Sequence, residues 1–332
     1  MPDLLLTPFE EVGQLQIMHL KRYWHKCILK RNGQVKSGEF EEEFQLDKTL
    51  LFTLGLGLEQ TVKYLYNTAP AFEQFEQWVT ETNGMPAPEN VARFNNIILN
   101  KNSTELVTVP KVLDNEQLTF WEQNGYLILK NVISKEDCEK TIETICSYIQ
   151  IDRDNPVTWY NPHPARQGIM VQLFQHPTLE KNRSSEKVRL AFEQLWNRTD
   201  LWVSADRVGF NPPETNSWKF PGPWLHWDTE LNLPIPFGLQ GILYLADTEE
   251  NQGAFSLVPG FQHRIEKWIG SLPQNANPYK EDLYALGCIP IAANAGDFII
   301  WHQALPHGSS PNTSSKPRFV QYFTYDPVGV DQ

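Results

Sequence analysis

The chain has 332 residues, 41% hydrophobic and 20% charged, enough for one large domain or a domain with a substantial extension. Its formal net charge of −12 argues against a nucleic-acid partner, whose phosphates call for clustered Lys and Arg. No apolar run nears the roughly 20 residues of a bilayer span, and residues 1–11 lack the charged start and apolar stretch of a secretory leader.

Residues 1–110 read as a helical N-terminal region. Apolar residues recur at helical spacing over 15–29 and 49–66, and again over 72–79 after Pro70. The basic stretch 21–31 and the acidic run 39–43 read as solvated helix faces. Gly and Pro break the chain over 84–88, and 101–110 is polar and irregular, so a boundary is expected there. The region is expected to pack on the remainder of the chain, with docking of a second subunit or a carrier protein left open.

Residues 111–332 have a different texture. A short helix over 115–124 ends at Gly125, and 126–129 is a compact strand. Ser134 caps a helix running to about Tyr148, with Glu136 and Asp137 placed in its first turn to suit the helix dipole. After residue 200 strands dominate, at 201–210, 225–229, 239–246, 254–258, 289–293, 297–301 and 319–325, separated by Gly, Pro and Asn. This predicts a mainly β domain, a double-stranded β-helix of jelly-roll, cupin-like type with helical additions. The four cysteines (Cys27, Cys138, Cys146 and Cys288) form no metal-type spacing, and reduced thiols in a cytoplasmic setting are expected.

The chemistry lies in two short motifs. In His226-Trp227-Asp228, alternate residues of a strand point the same way, so imidazole and carboxylate can face one metal. Taken singly, each histidine reads more readily as a satisfied, partly buried side chain than as a ligand. Leu305-Pro306-His307-Gly308-Ser309, with Pro317-Arg318 further along, supplies the context. A second imidazole completes a two-His-one-carboxylate face, which leaves three positions open on iron(II) for O₂ and a bidentate 2-oxo acid. The planar fork of Arg318 suits the far carboxylate of 2-oxoglutarate, and the Ser309 hydroxyl adds a hydrogen bond. His307, not His302, is read as the ligand, because Gly308 lets the backbone pass close to the metal. His302 is read as orienting a neighbour.

Around these motifs, Trp227 and Trp224 read as pocket wall or core packing. Gln240 is expected to face the pocket. Trp218, Lys219 and Arg166 lie in loop-like stretches and could recognise a carboxylate-bearing substrate, or form solvated loop. Arg207, next to Asp206, reads as an internal ion pair.

Over about residues 115–326 the sequence resembles the phytanoyl-CoA dioxygenase family of iron(II)/2-oxoglutarate oxygenases. The resemblance is carried by Phe120-Trp121-Glu122-Gln123-Asn124-Gly125-Tyr126-Leu127, His226-Trp227-Asp228 and Gln240-Gly241-Ile242-Leu243-Tyr244-Leu245. It continues through Gly253 to Pro259-Gly260 and Gly296-Asp297, then the His307 motif, Asn312 and Pro317-Arg318. It implies that His226, Asp228 and His307 bind iron, while Ser309 and Arg318 hold the distal carboxylate of 2-oxoglutarate. Family members often place a basic residue on an earlier strand to meet the 1-carboxylate. Here the stretch is Ile169-Met170-Val171-Gln172, with Met170 at that place and Gln172 the candidate contact to cosubstrate or substrate.

The reaction this implies is oxidation, most simply hydroxylation, of an unactivated C–H bond of a small organic substrate, with release of succinate and CO₂. Desaturation or oxidative cyclisation, as in secondary metabolism, stay open, as does a non-catalytic jelly-roll binding protein. Halogenation is disfavoured, because Asp228 fills the position a halide would need. No basic cluster suits the phosphates of CoA.

Overall fold

The computed structural model describes residues 6–36, 38–100, 108–109 and 111–327. The expected irregular stretch at 101–110 therefore lies outside the described residues except at 108 and 109. So do the first five residues of the segment read as lacking a leader. The helices in chain order are α1 (Leu20–Arg31), α2 (Phe44–Thr53), α3 (Leu58–Thr68), α4 (Phe72–Asn83), α5 (Pro88–Ile98), α6 (Asn115–Asn124), α7 (Lys135–Tyr148), α8 (Pro177–Arg183), α9 (Glu186–Trp196) and α10 (Ile265–Ser271). The first strands are β1 (Tyr126–Leu129), β2 (Arg166–Gln167), β3 (Met170–Val171), β4 (Leu201–Val203), β5 (Val208–Asn211) and β6 (Leu239–Tyr244). They are followed by β7 (Phe255–Leu257), β8 (Ile289–Pro290), β9 (Phe298–His302), β10 (His307–Ser309) and β11 (Arg318–Tyr322).

Two compact units divide the chain. The first comprises Met1–Val109, Arg198–Asp206 and Asp326–Gln332, and the second Pro110–Asn197 and Arg207–Tyr325. In the first unit, the helix expected over 49–66 is two helices. Gly55 takes a left-handed φ of +63° after α2, and the Gln60 side chain accepts from the Gly57 N–H to open α3. The helix expected from residue 15 starts at Leu20, after His19 at φ +66°. The break over 84–88 delivers Pro88 as the first residue of α5, where its missing N–H costs nothing. The core of this unit joins Leu50, Leu51, Leu65, Phe75 and Phe94 to Trp202 of β4, which is far away in sequence. The strand expected over 201–210 is thus split into β4 and β5, which belong to different units.

The second unit is a double-sheet sandwich. A seven-stranded antiparallel sheet runs β1-β9-β6-β11-β5-β3-β2, and a three-stranded sheet runs β10-β7-β8. Register decides which side chains meet between the sheets, since successive residues of a strand point to opposite faces. Gln240 lies opposite Trp301, Ile242 opposite Ile299 and Tyr322, and Tyr244 opposite Val320. Of these, Ile242, Tyr244, Ile299, Trp301 and Val320 share a core with Phe255 and Leu257 of β7, and the Trp301 and Phe255 ring centroids are 4.3 Å apart. The other face of the large sheet meets helices. Phe298 packs on Phe192 of α9, and the Gln321 side chain bonds Asn182 and the Leu179 carbonyl of α8. The sequence pattern does not announce α8, α9 or α10. Among the described residues no helix is long and apolar enough to cross a membrane, and all four cysteines are free.

Candidate metal centre

Residues 225–229 do not form the expected strand. They are fixed by a single antiparallel bridge, in which the His226 N–H donates to the His307 carbonyl at 2.9 Å and the His307 N–H returns the bond at 3.0 Å. That bridge suffices to bring the two imidazoles together. Their ring centroids are 4.8 Å apart, and the ligand-type atoms of His226, Asp228 and His307 all lie within 4.8 Å of one another. The close approach depends on Gly308, whose added Cβ would stand 2.6 Å from the Trp224 carbonyl oxygen. The glycine therefore makes room for the segment carrying His226, rather than for the metal as expected.

Each imidazole is oriented by a backbone carbonyl. His226 Nδ1 donates to the Trp224 oxygen at 2.6 Å, and His307 Nδ1 to the Leu305 oxygen at 3.1 Å. With Nδ1 committed as donor, each ring presents Nε2 to Asp228, as a lone pair when neutral and as a donor when protonated. The two Nε2 atoms face the Asp228 carboxylate, His226 at 3.4 Å from Oδ1 and His307 at 3.3 Å from Oδ2. Burial would lift the Asp228 pKa, but hydrogen bonds and charge from His226 and His307 outweigh it and hold the carboxyl well below its usual range. For His226, burial pushes the pKa down, while Asp228 and the Trp224 carbonyl raise it by more. Two imidazole nitrogens and one carboxylate, each turned to a common point, form the donor set that suits a first-row divalent ion with open positions. Their spacing also fits, since bonds of about 2.1 Å at right angles separate neighbouring donors by about 3 Å.

Arg318 opens β11, is fully buried, and donates from Nη2 to Ser309 Oγ at 2.9 Å. Its Nε and Nη1 are buried with no hydrogen-bond partner among the described residues. Two unanswered nitrogens on a buried guanidinium have the donor chemistry that suits a carboxylate, which can accept from both. Ser309 shares β10 with His307, so the Arg318–Ser309 pair is tied to the strand that carries one of the three clustered residues.

The remaining predicted residues fall elsewhere. Trp227 points away from His226 and Asp228 into the core, donating to the Ala304 carbonyl and packing on Phe261 and Trp268. Strand alternation alone would have shown this. Gln240 reaches the cluster, but its Nε2 donates to Asp228 Oδ2 at 2.5 Å. Gln172 comes directly after β3, and its amide is engaged with Gln167 Oε1 at 3.1 Å, not with the cluster. Arg166 donates to the Trp159 and Asn161 carbonyls and lies over the Phe210 ring, and Lys219 faces Glu214. Trp218 packs near Tyr160, while Trp224 is exposed beside Phe220 and Tyr284. Sequence reasoning missed Trp301, whose indole N–H donates to Gln240 Oε1 and whose ring sits 5.1 Å from that of His307. No local signal marks it. A second cluster, His19, Glu43 and Asp47 in the first unit, already contains a cation, for Lys26 Nζ lies 2.9 Å from Glu43 and 2.6 Å from Asp47.

Comparison with known proteins places these residues in context. Residues 121–320 match the phytanoyl-CoA dioxygenase (PhyH) family. A candidate phytanoyl-CoA dioxygenase of Dictyostelium discoideum is 27% identical over 263 residues, covering 64% of this chain and 75% of that protein. An ectoine dioxygenase of Bordetella bronchiseptica is 21% identical over 236 residues, again 64% of this chain and 75% of its own length. Among solved structures, HygX of Streptomyces hygroscopicus with nickel and 2-oxoglutarate bound superposes with a TM-score of 0.49 at 16% identity, over 65% of this chain and 88% of that one.

Proposed function

The chain belongs to the phytanoyl-CoA dioxygenase family, the non-haem iron(II)/2-oxoglutarate-dependent dioxygenases, and from that premise we propose that it hydroxylates an unactivated C–H bond of a small organic substrate. His226, Asp228 and His307 hold the iron, and Arg318 with Ser309 receives the distal carboxylate of 2-oxoglutarate. Bound iron(II) supplies the activation of O₂, coupled to decarboxylation of 2-oxoglutarate to succinate and CO₂. The chain's own part is placement. Carbonyl-anchored imidazoles keep both Nε2 atoms turned to one point, and the buried Arg318 fixes one end of the cosubstrate so that its other end is directed to that point.

The observation that carries this reading is Arg318, fully buried beside Ser309 with two N–H groups lacking acceptors. A structural arginine in a protein core is normally paired on all sides. One prepared for a dicarboxylate is not. On the substrate side, Arg166 is bonded to the Trp159 and Asn161 carbonyls, while the exposed Lys219 only faces Glu214 at 3.6 Å. The exposed Trp224, flanked by Phe220 and Tyr284 next to the His226 segment, supports an apolar or aromatic part to the substrate. Free thiols suit a reducing, cytoplasmic setting.

The test is iron-dependent succinate release from 2-oxoglutarate in the presence of candidate small molecules, then mass analysis of the product under isotopically labelled O₂. Incorporation of one labelled oxygen supports hydroxylation, whereas loss of two hydrogens without oxygen would assign desaturation or cyclisation instead. Failure to turn over 2-oxoglutarate with iron, with or without substrate, would overturn the assignment of the centre.

A further inference from the structure

Gln240 is expected from sequence to meet substrate, but its hydrogen bonds define another task. Its Nε2 donates to Asp228 Oδ2 at 2.5 Å, and its Oε1 accepts from Trp301 Nε1 at 2.9 Å. An indole N–H can only donate, so it decides which end of the amide is oxygen. Oε1 must face Trp301, and the NH₂ group must then face Asp228. The strands enforce the same arrangement. Gln240 and Trp301 are direct partners on β6 and β9, and Trp301 is 3% exposed, held between the rings of Phe255 and His307.

We infer that Gln240 is a positioning residue for the Asp228 carboxylate, and that Trp301 sets the direction of its amide. The inference rests on reading Asp228 as a metal ligand. The Asp228 side chain is 56% exposed. Its segment is held at Pro223, at His226 and through the Trp227 indole, but the Asp228 backbone itself makes no hydrogen bond among the described residues, so the carboxylate depends on side-chain partners for its direction. A carboxylate also has about four acceptor sites on its two oxygens, and those not turned to an ion need donors if the group is to keep one rotamer. The Gln240 amide supplies a charge-assisted donor to Oδ2. Through Trp301 it ties the exposed carboxylate to the central strands of the large sheet. Oδ1, which faces His226, is left without that tether.

The experiment uses the full chain and Mn(II) as a redox-inert probe, with free ion measured by electron paramagnetic resonance. The proteins compared are the parent, Gln240→Met, Trp301→Phe, the double variant and Asp228→Asn. Gln240→Met is expected to weaken Mn(II) binding about 10- to 100-fold, the range seen when a ligand's supporting partner is removed. Trp301→Phe should weaken it by less, because the amide remains but can turn over. The double variant should bind no more weakly than Gln240→Met alone, since the indole acts through the amide. A merely structural role predicts otherwise: lower unfolding midpoints for the metal-free proteins, unchanged Mn(II) affinity and additive effects. Gln240→Met binding within about twofold of the parent would overturn the inference. Asp228→Asn separates the two levels. If it loses Mn(II) while Gln240→Met keeps it, only the positioning role fails. If Asp228→Asn itself keeps parental affinity, the ligand reading fails and the inference with it.

Discussion

Arg318 donates to Ser309 Oγ at 2.9 Å and also interacts with the Tyr244 hydroxyl, while the Nε and Nη1 of this fully buried guanidinium have no hydrogen-bond partner among the described residues. The pair joins β11 to β10, the strand that carries His307. Its incompleteness is informative, because leaving a buried N–H group without an acceptor costs about 1–3 kcal/mol, and more for a charged group.

The first prediction comes from that pair. Arg318→Gln should raise the dissociation constant for 2-oxoglutarate at least about tenfold, since truncating one side of a buried charged pair costs about 2–5 kcal/mol. Mn(II) affinity in the absence of cosubstrate should be unchanged. Ser309→Ala should produce a smaller loss in the same direction. Calorimetric titration of 2-oxoglutarate into the Mn(II) protein checks both, and parental affinity in Arg318→Gln would place the distal carboxylate elsewhere.

A second prediction concerns Gly308. Alanine there would set a Cβ 2.6 Å from the Trp224 carbonyl oxygen and 3.0 Å from the Leu225 nitrogen, both backbone atoms that cannot swing aside. The segment carrying His226 must move, at an overpacking cost of about 1–3 kcal/mol. Mn(II) binding should weaken accordingly. Gly270→Ala is the control, since nothing lies within 4 Å of an added Cβ in α10, and it should be neutral or slightly stabilising. Equal metal affinity in the two variants would show that the approach of residues 224–225 does not set the position of His226.

Much of this centre is legible in the sequence because its signals are local. His226, Asp228, His307, Ser309 and Arg318 lie in two short stretches, and the structure brings the first three together and pairs the last two. Even Trp227 could have been assigned to the core, because alternation turns it away from its two neighbours. The illegible part depends on register between distant strands. Gln240 and Trp301 are 61 residues apart, and nothing in either neighbourhood announces that one amide links indole to carboxylate. Helix α8 has only seven residues in which to show a periodicity, and α9 follows it within three residues, ahead of the strand-rich stretch. The single helix expected over 49–66 overlooks Gly55, whose left-handed φ ends one helix, and Gln60, whose side chain caps the Gly57 N–H at the start of the next.

The third prediction concerns the N-terminal region. Residues 1–100 alone do not make up its unit, because Trp202 of β4 is 5% exposed within a core of Leu50, Leu51 and Phe94, under the Arg93 guanidinium at 3.9 Å from its ring. A chain starting at residue 111 would uncover that indole. It should aggregate, or show solvent-exposed Trp emission, and Trp202→Ala in the full chain should cost about 3–5 kcal/mol. A truncated protein that stays monodisperse with parental Mn(II) affinity would refute this.

His302 gives a fourth, pH-dependent prediction. Burial, aided by the charge of His263, pushes its pKa down to about 4. Its folded pKa is thus below the ordinary value near 6.5, so the unfolded chain binds more protons between those values. Stability is therefore fully present above about pH 6.5 and is lost as the pH falls toward 4, by about 2–3 kcal/mol for this group. Asparagine at 302 keeps an acceptor for the Ala304 N–H, which the ring now satisfies through Nδ1 at 3.0 Å. In urea unfolding, the drop in midpoint between pH 7 and pH 4.5 should be smaller for His302→Asn than for the parent. Equal drops would mean that the ring is protonated in the folded state as readily as in the unfolded one.

The last prediction separates the two histidines that close the same stretch of chain. Trp301 and His302 are neighbours on β9, and alternation sends them to opposite faces. Trp301 lies opposite Gln240 and faces the sandwich interior, whereas His302 lies opposite Leu239 and packs edge-on to Phe237 at 5.2 Å. His307 is on the other sheet, bridged to His226 by two backbone hydrogen bonds, with Nε2 3.3 Å from Asp228. His307→Ala should therefore lose Mn(II) binding and succinate release together. His302→Ala should keep metal affinity within about twofold, because its ring neither reaches the cluster nor orients a member of it. Its turnover should fall only as far as loosening at Phe237 disturbs the rim of the sheet. The reverse pattern, with metal lost in His302→Ala and kept in His307→Ala, would move the centre to the outer face of β9. Ser309 and Arg318 could then no longer serve it, since Ser309 shares its strand with His307 and Arg318 is bonded to Ser309.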